Sequence, residues 1–137
     1  MTTTGRADRP LAAGEAICAS AALRDGGPGV RFRVRWRGLP APAFAVRHAG
    51  RAQAYLNRCA HRAVELDWIE GEFFDAAGSE LICATHGARY HPATGTCLGG
   101  PCAGLGLVAL PVLERGGRLL LGRHRDLDDG AVAPGAE

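Results

Sequence analysis

The clearest hydrophobic pattern in the chain lies between Val30 and Trp36, where apolar residues alternate with arginines. Strict alternation indicates a β-strand with one buried face, because successive side chains of a strand point to opposite sides of its sheet. Every second residue from Val30 is predicted to enter a core, and Arg31, Arg33 and Arg35 to line a solvated face. Charges on such a face also oppose edge-to-edge association of sheets.

Short apolar segments separated by turn-forming residues continue along the chain. The 20 Gly and 8 Pro recur between these segments, a pattern that favours many short strands over long helices. The further predicted strands are Ala16–Ala19, Ala43–His48, Ala54–Asn57, Ile69–Phe74, Leu81–Cys83, Leu107–Leu113 and Arg118–Gly122, with a single helical turn at Ser20–Leu23. The sequence therefore predicts an all-β fold, an antiparallel sandwich or a small barrel.

Length and composition fit one globular domain. The chain has 137 residues, of which 47% are hydrophobic and 22% charged, enough for a single modest core. We expect this domain to span residues 11–123, with residues 1–10 and 124–137 disordered.

The net charge of +2 is too small to favour nucleic acid or an anionic membrane as a partner. No signal segment is evident, and the longest apolar run, Leu105–Leu113, is too short to span a bilayer, so a cytoplasmic protein is expected.

Two short motifs combine cysteine with histidine. They are Cys59-Ala60-His61 and Cys83-Ala84-Thr85-His86. Thiolate and neutral imidazole are both metal ligands, and a hairpin between the motifs would bring the two loops together. A structural zinc ion is one possible occupant. The spacing is better suited to a 2Fe–2S cluster with two cysteine and two histidine ligands.

The chain resembles the Rieske ferredoxin family over most of its length, from about residue 15 to residue 122. Its two motifs resemble the two ligand loops of that family, and Gly99-Gly100-Pro101 resembles the proline-bearing loop that shields the cluster. The resemblance implies one 2Fe–2S cluster, with the inner iron bound by Cys59 and Cys83 and the outer, solvent-facing iron bound by His61 and His86. It also implies an antiparallel Rieske-type sandwich with a small cluster-binding part at about 57–104, formed by the two ligand loops. The residues expected to surround the ligands are Ala63, Gly87, Ala88, Tyr90 and Pro101.

The resemblance also implies a function. The protein would be a soluble one-electron carrier and not itself an enzyme. It would pass electrons from a reductase to a terminal oxygenase of the aromatic-ring dioxygenase type, docking transiently at the tip formed by His61 and His86. Two alternatives are the small Rieske subunit of a nitrite-reductase-like complex and a zinc-stabilised interaction module.

The family resemblance further predicts a low reduction potential. High-potential relatives carry a disulfide between the ligand loops and a serine near the second histidine, and the matching positions here are Val64, Thr85 and Ala88. Tyr90 keeps the phenol that the high-potential class places beside the cluster. We therefore expect a midpoint near the lower end of the Rieske range of about −150 to +300 mV.

The remaining cysteines and the tryptophans are given structural roles. Cys18, Cys97 and Cys102 are expected to be thiols, because a reducing compartment disfavours pairing of the last two. Trp36 and Trp68 are expected to pack in the core or against the hairpin.

Overall fold

The computed structural model describes residues 9–60, 64–102 and 104–127. Strands make up nearly all of the regular structure in these ranges, so the predicted all-β fold is confirmed. The strands are β1 (Pro10–Leu11), β2 (Ala16–Ala19), β3 (Val30–Trp36), β4 (Leu39–His48), β5 (Arg51–Leu56), β6 (Leu81–Ile82), β7 (Arg89–Tyr90), β8 (Cys97–Gly99), β9 (Ala109–Leu110), β10 (Val112–Arg115) and β11 (Arg118–Leu121). The predicted helical turn is a 3-10 turn at Ser20–Ala22. No helical segment in the described ranges has the length and hydrophobicity that a bilayer span requires.

The central sheet has the strand order β1-β3-β4-β5-β9. The predicted strand Val30–Trp36 is confirmed with the same limits. Its residues Phe32, Val34 and Trp36 are buried, whereas its three arginines are partly exposed. The turn into β4 is formed by Arg37 and Gly38, both with positive φ. The backbone twist of a two-residue turn with positive φ at both positions matches the right-handed twist of the strands that it joins.

The main core lies between the central sheet and a second sheet of order β10-β11-β2. Ile17 of β2 and Leu119 and Leu121 of β11 pack there against Val34 and Leu56 of the central sheet. All pairs within the second sheet are antiparallel. This arrangement is the predicted antiparallel sandwich.

A third, small sheet of order β6-β7-β8 packs on the other face of the central sheet. Phe44 of β4 stacks on Phe73 with ring centroids 4.0 Å apart, and Tyr55 of β5 joins the same cluster. The central sheet is therefore covered on both faces. A Cβ on Gly29 would lie 2.6 Å from the Phe73 ring, so glycine is required where the chain crosses this contact.

Several predicted element limits are wrong. Ile69–Phe74, predicted as a strand, consists of turns and a single bridge at Phe74, and Leu107–Leu113 is divided at Pro111. Packed structure also extends past both predicted domain limits, because Pro10 pairs with β3 and Leu127 is buried beside Trp36. The rest of the two predicted tails, residues 1–8 and 128–137, lies outside the described residues.

Candidate metal centre

Three of the four predicted ligands lie together at one end of the small sheet. The ligand atoms of Cys59, Cys83 and His86 lie within 4.8 Å of one another. Cys59 is 2% exposed, Cys83 is 0% exposed, and His86 is half-buried. The fourth predicted ligand, His61, lies outside the described residues, as does Ala63.

Each ligand loop is closed at its base by a backbone hydrogen bond. The Cys59 N–H donates to the Val64 carbonyl at 2.8 Å, and the Cys83 N–H donates to the Ala88 carbonyl at 2.8 Å. In the second loop the Gly87 N–H also donates to the Cys83 carbonyl at 2.7 Å. Gly87 has a φ of +75°, a conformation that costs glycine little and other residues more. The N–H groups of the two cysteines thus make equivalent closing hydrogen bonds, each to the carbonyl five positions later.

A buried polar network fixes the segment that follows the first loop. The Asn57 side chain accepts a bond from the Leu66 N–H at 2.8 Å and donates to the Asp67 carboxylate at 2.9 Å. That carboxylate also accepts from the Gly71 N–H at 2.9 Å and lies 3.4 Å from the Arg31 Nε. Asn57 and Asp67 are both buried, and every bond is needed to offset their loss of water. Sequence analysis missed this network, since buried polar partners distant in sequence leave no local pattern.

Tyr90 contacts the first ligand loop from β7. Its hydroxyl oxygen accepts a hydrogen bond from the Ala60 N–H at 3.0 Å and lies 3.4 Å from the Cys59 Sγ. Burial raises the pKa of Tyr90, so the hydroxyl keeps its proton and can donate it to a sulfur ligand.

Burial also raises the pKa of the Cys83 thiol. The buried thiol therefore keeps its proton more strongly than a free cysteine does, and a metal that binds the sulfur takes the place of that proton.

The loop around Pro101 packs against the second ligand loop. A Cβ on Gly100 would lie 2.9 Å from the Gly87 carbonyl oxygen, so the two backbones are in direct contact. The ends of this loop are joined by a disulfide between Cys97 and Cys102, whose Cα atoms are 5.6 Å apart. The prediction that these two cysteines are thiols is therefore wrong. It rested on compartment alone, whereas the reversal of the chain between them brings the two sulfurs together.

Trp68 is on the surface beside the second ligand loop. It is 78% exposed and its neighbour Ile69 is 58% exposed, so Trp68 does not pack in the core. Trp36 is buried, as predicted. Large exposed apolar side chains of this kind often mark an interaction surface. The two line a shallow groove together with Glu72, Phe74, Ile82 and Ala84.

The donors present fit an iron–sulfur cluster. Two cysteine sulfurs lie in the protein interior and the His86 imidazole lies toward solvent. Soft sulfur donors combined with imidazole are the ligand set of a 2Fe–2S cluster with mixed ligation. The β-fold and this donor set define an iron–sulfur-binding domain.

The comparisons with known proteins identify the family. The Rieske [2Fe-2S] domain model matches residues 15–111. The chain belongs to this family, and its cofactor is a 2Fe–2S cluster, as predicted. No curated protein sequence matches the chain.

Solved structures with the same fold include three associated with ferredoxins. The Sphingomonas yanoikuyae B1 ferredoxin is 20% identical with a TM-score of 0.62, and the match covers 81% of this chain and 99% of that one. The ferredoxin of carbazole 1,9a-dioxygenase from Nocardioides aromaticivorans IC177 is 23% identical with a TM-score of 0.62, covering 82% and 100%. A chain of a complex of reduced oxygenase and oxidised ferredoxin in carbazole 1,9a-dioxygenase is 24% identical with a TM-score of 0.59, covering 79% and 100%. These likenesses establish a Rieske ferredoxin-like fold.

Proposed function

We propose that this protein is a one-electron carrier whose cluster is held by Cys59 and Cys83 on the buried side and by His61 and His86 on the solvent side. The observation that carries the proposal is the convergence of Cys59, Cys83 and His86, with both sulfurs buried and the imidazole partly exposed. When bound, the cluster takes up and releases one electron. An imidazole ligand at the surface gives that electron a short exit from the protein.

The surrounding residues orient and protect the ligands. Ala88 and Gly87 close the second loop, and Pro101 belongs to the loop that lies on it. The Tyr90 hydroxyl lies 3.4 Å from the Cys59 sulfur. We assign the hydroxyl as the donor in this contact, which stabilises the more negative, reduced state and raises the potential. We propose that Ala63 also helps to orient and protect the ligands.

We propose a terminal oxygenase of the aromatic-ring dioxygenase type as the electron acceptor and a reductase as the donor, in the cytoplasm. The partner would dock transiently at the His61/His86 tip. The groove lined by Trp68 and Ile69 reaches Ala84 of the second loop and provides an apolar surface beside it. Small, weakly bound interfaces are typical of redox encounters. The ferredoxin–oxygenase complex among the similar folds supports this partner class. In this proposal the chemistry of oxygen belongs to the partner and the present chain only transfers electrons.

The ligand assignment is tested by EPR of anaerobically purified, reduced protein, together with iron and sulfide analysis. We expect a mixed histidine and cysteine signal in the wild type and its loss in His86→Ala. The matched control is His91→Ala. His91 is exposed, and the described hydrogen bond of its ring is local, with Nδ1 accepting from the Ala93 N–H. A colourless protein containing zinc would instead favour the interaction module.

The partner is tested by mixing reduced protein with the oxidised terminal oxygenase of carbazole 1,9a-dioxygenase in a stopped-flow instrument. We expect electron transfer whose second-order rate falls in Trp68→Ala. The control is Leu39→Ala, since Leu39 is 70% exposed but lies at the β3–β4 turn. No transfer to the oxygenase, with co-purification of a large flavin or sirohaem protein, would favour the nitrite-reductase-like alternative.

A further inference from the structure

We propose that the Cys97–Cys102 disulfide is a reversible exchange site for a dithiol reductant, and that opening it releases the Pro101 loop from the second ligand loop. The inference requires that the protein binds the 2Fe–2S cluster of its family. It does not depend on which proteins are the redox partners. It gives the protein a second redox-active element, distinct from its cofactor.

The disulfide controls a short loop that touches the second ligand loop. The bond encloses Leu98, Gly99, Gly100 and Pro101. Gly100 lies so close to the ligand loop that a Cβ would also meet the Ala88 Cα at 3.1 Å. A short loop without its cross-link samples many more conformations, so the bond restricts how often this contact opens.

The disulfide is also connected to the ligands through the small sheet. Cys97 is the strand partner of Tyr90, and Gly99 is the partner of Arg89. The Arg89 side chain packs across Gly99 and pairs with Glu80 at 2.8 Å. Because Tyr90 contacts the Cys59 sulfur, a change at Cys97 reaches the first ligand loop through one strand pair.

The exposure of the two cysteines sets the direction of exchange. Cys97 is partly exposed, whereas Cys102 is 0% exposed, so a reductant thiolate reaches the Cys97 sulfur. A disulfide forms between the reductant sulfur and the Cys97 sulfur, the Cys97–Cys102 bond breaks, and the Cys102 thiolate takes up a proton. The second thiol of the reductant then displaces Cys97, which is also protonated. The reductant leaves as its own disulfide, and two electrons have passed to the protein.

The surroundings accommodate the reduced state. The Cys102 Sγ lies 3.2 Å from the Gly99 carbonyl oxygen and 3.6 Å from the Arg89 carbonyl oxygen. The Cys97 Sγ lies 3.7 Å from the same Gly99 oxygen. Each thiol formed on reduction therefore has a carbonyl acceptor within reach for its weak S–H donor. Because the buried thiol is not left unpaired, the cycle can be reversible.

The test uses the cluster-loaded protein and dithiothreitol as the dithiol. Alkylation and mass spectrometry count the thiols released, EPR of the reduced protein reports the cluster environment, and a ferrous-iron chelator reports the rate of iron release. We expect dithiothreitol to add two alkylation sites, at Cys97 and Cys102, to change the EPR line shape, and to speed iron release by about fivefold or more, because the covering loop opens more often. Cys18→Ser should show the same response as the wild type.

The double variant Cys97→Ser/Cys102→Ser separates loop opening from direct attack of the thiol on the cluster. We expect it to release iron rapidly with and without dithiothreitol. If it does not hold a cluster, the untreated and treated wild-type proteins still provide the comparison. The proposal is overturned if the bond is cleaved while EPR and iron release stay unchanged within twofold, or if both cysteines are alkylated without any reductant.

Discussion

Replacing Tyr90 by Phe should lower the midpoint potential of the cluster without removing the ring. The hydroxyl lies 3.4 Å from the Cys59 sulfur, and its oxygen already accepts the Ala60 N–H, so its own proton is available to the sulfur. A hydrogen bond to a charged group contributes about 1.5–3 kcal/mol. If about half of that energy arises from the charge added on reduction, the hydrogen bond is stronger in the reduced state than in the oxidised state by about 1 kcal/mol. For a one-electron couple, where 59 mV corresponds to about 1.4 kcal/mol, the potential falls by about 40 mV.

The measurement is a redox titration of Tyr90→Phe beside Tyr55→Phe. Tyr55 is an equally buried phenol, but its hydroxyl donates to the Pro92 carbonyl at 2.7 Å and not to a candidate ligand. Both variants should lose about 1–2 kcal/mol of unfolding free energy, because each leaves a backbone partner unpaired. Only Tyr90→Phe should shift the midpoint. Equal midpoint shifts in the two variants, or none in Tyr90→Phe, would refute a hydrogen bond from Tyr90 to the sulfur ligand.

Three further predictions concern the cluster potential, the buried network and the sandwich. The wild-type midpoint should lie below about +100 mV, in the lower part of the Rieske range, and a redox titration checks this. Asp67→Ala should destabilise the fold by about 2–4 kcal/mol in urea unfolding, because it leaves Asn57 and Arg31 without their buried partner, and Asp67→Asn should cost less. The Arg47 guanidinium lowers the pKa of Glu114 from 4.5 to about 2, so the carboxylate stabilises the fold above pH 4.5 and this contribution is lost as the pH falls through 2. Glu114→Gln should therefore be less stable than the wild type by about 0.5–1 kcal/mol at pH 7, a value reduced for solvent screening, and urea unfolding at several pH values should show this gap closing between pH 4.5 and 2.

The strands with a strong alternating pattern were predictable from sequence. Val30–Trp36 has the predicted limits because its alternation is uninterrupted, and the main core forms on the predicted face. The strands β1, β7 and β8 are only two or three residues long, too short to show any period. Ile69–Phe74 is apolar enough to suggest a strand, but its residues point in different directions. Phe73 is buried against Phe44, whereas Ile69 faces solvent.

The candidate site was predictable where chemistry is tied to residue type. Cysteine and histidine at short spacing indicated the metal centre, and Cys59, Cys83 and His86 do converge. Contacts between distant residues were not predictable in the same way. Arg31 was predicted to face solvent, yet it pairs with Glu65 at 2.6 Å and approaches Asp67, so it ties the central sheet to the segment after the first ligand loop. Such a pairing depends on the tertiary fold and has no counterpart in the local pattern.

The matching closure of the two ligand loops limits how their lengths can evolve. In each loop the cysteine N–H reaches the carbonyl five positions later, at Val64 or Ala88. One inserted residue would break that closing hydrogen bond and move one ligand atom away from the others, which lie within 4.8 Å of one another. The turn at Ala76 and Ala77 is exposed and carries no predicted ligand, and insertions are tolerated best at exposed turns of this kind. Natural relatives and engineered fusions should therefore differ in length at this turn and keep both ligand loops at constant size.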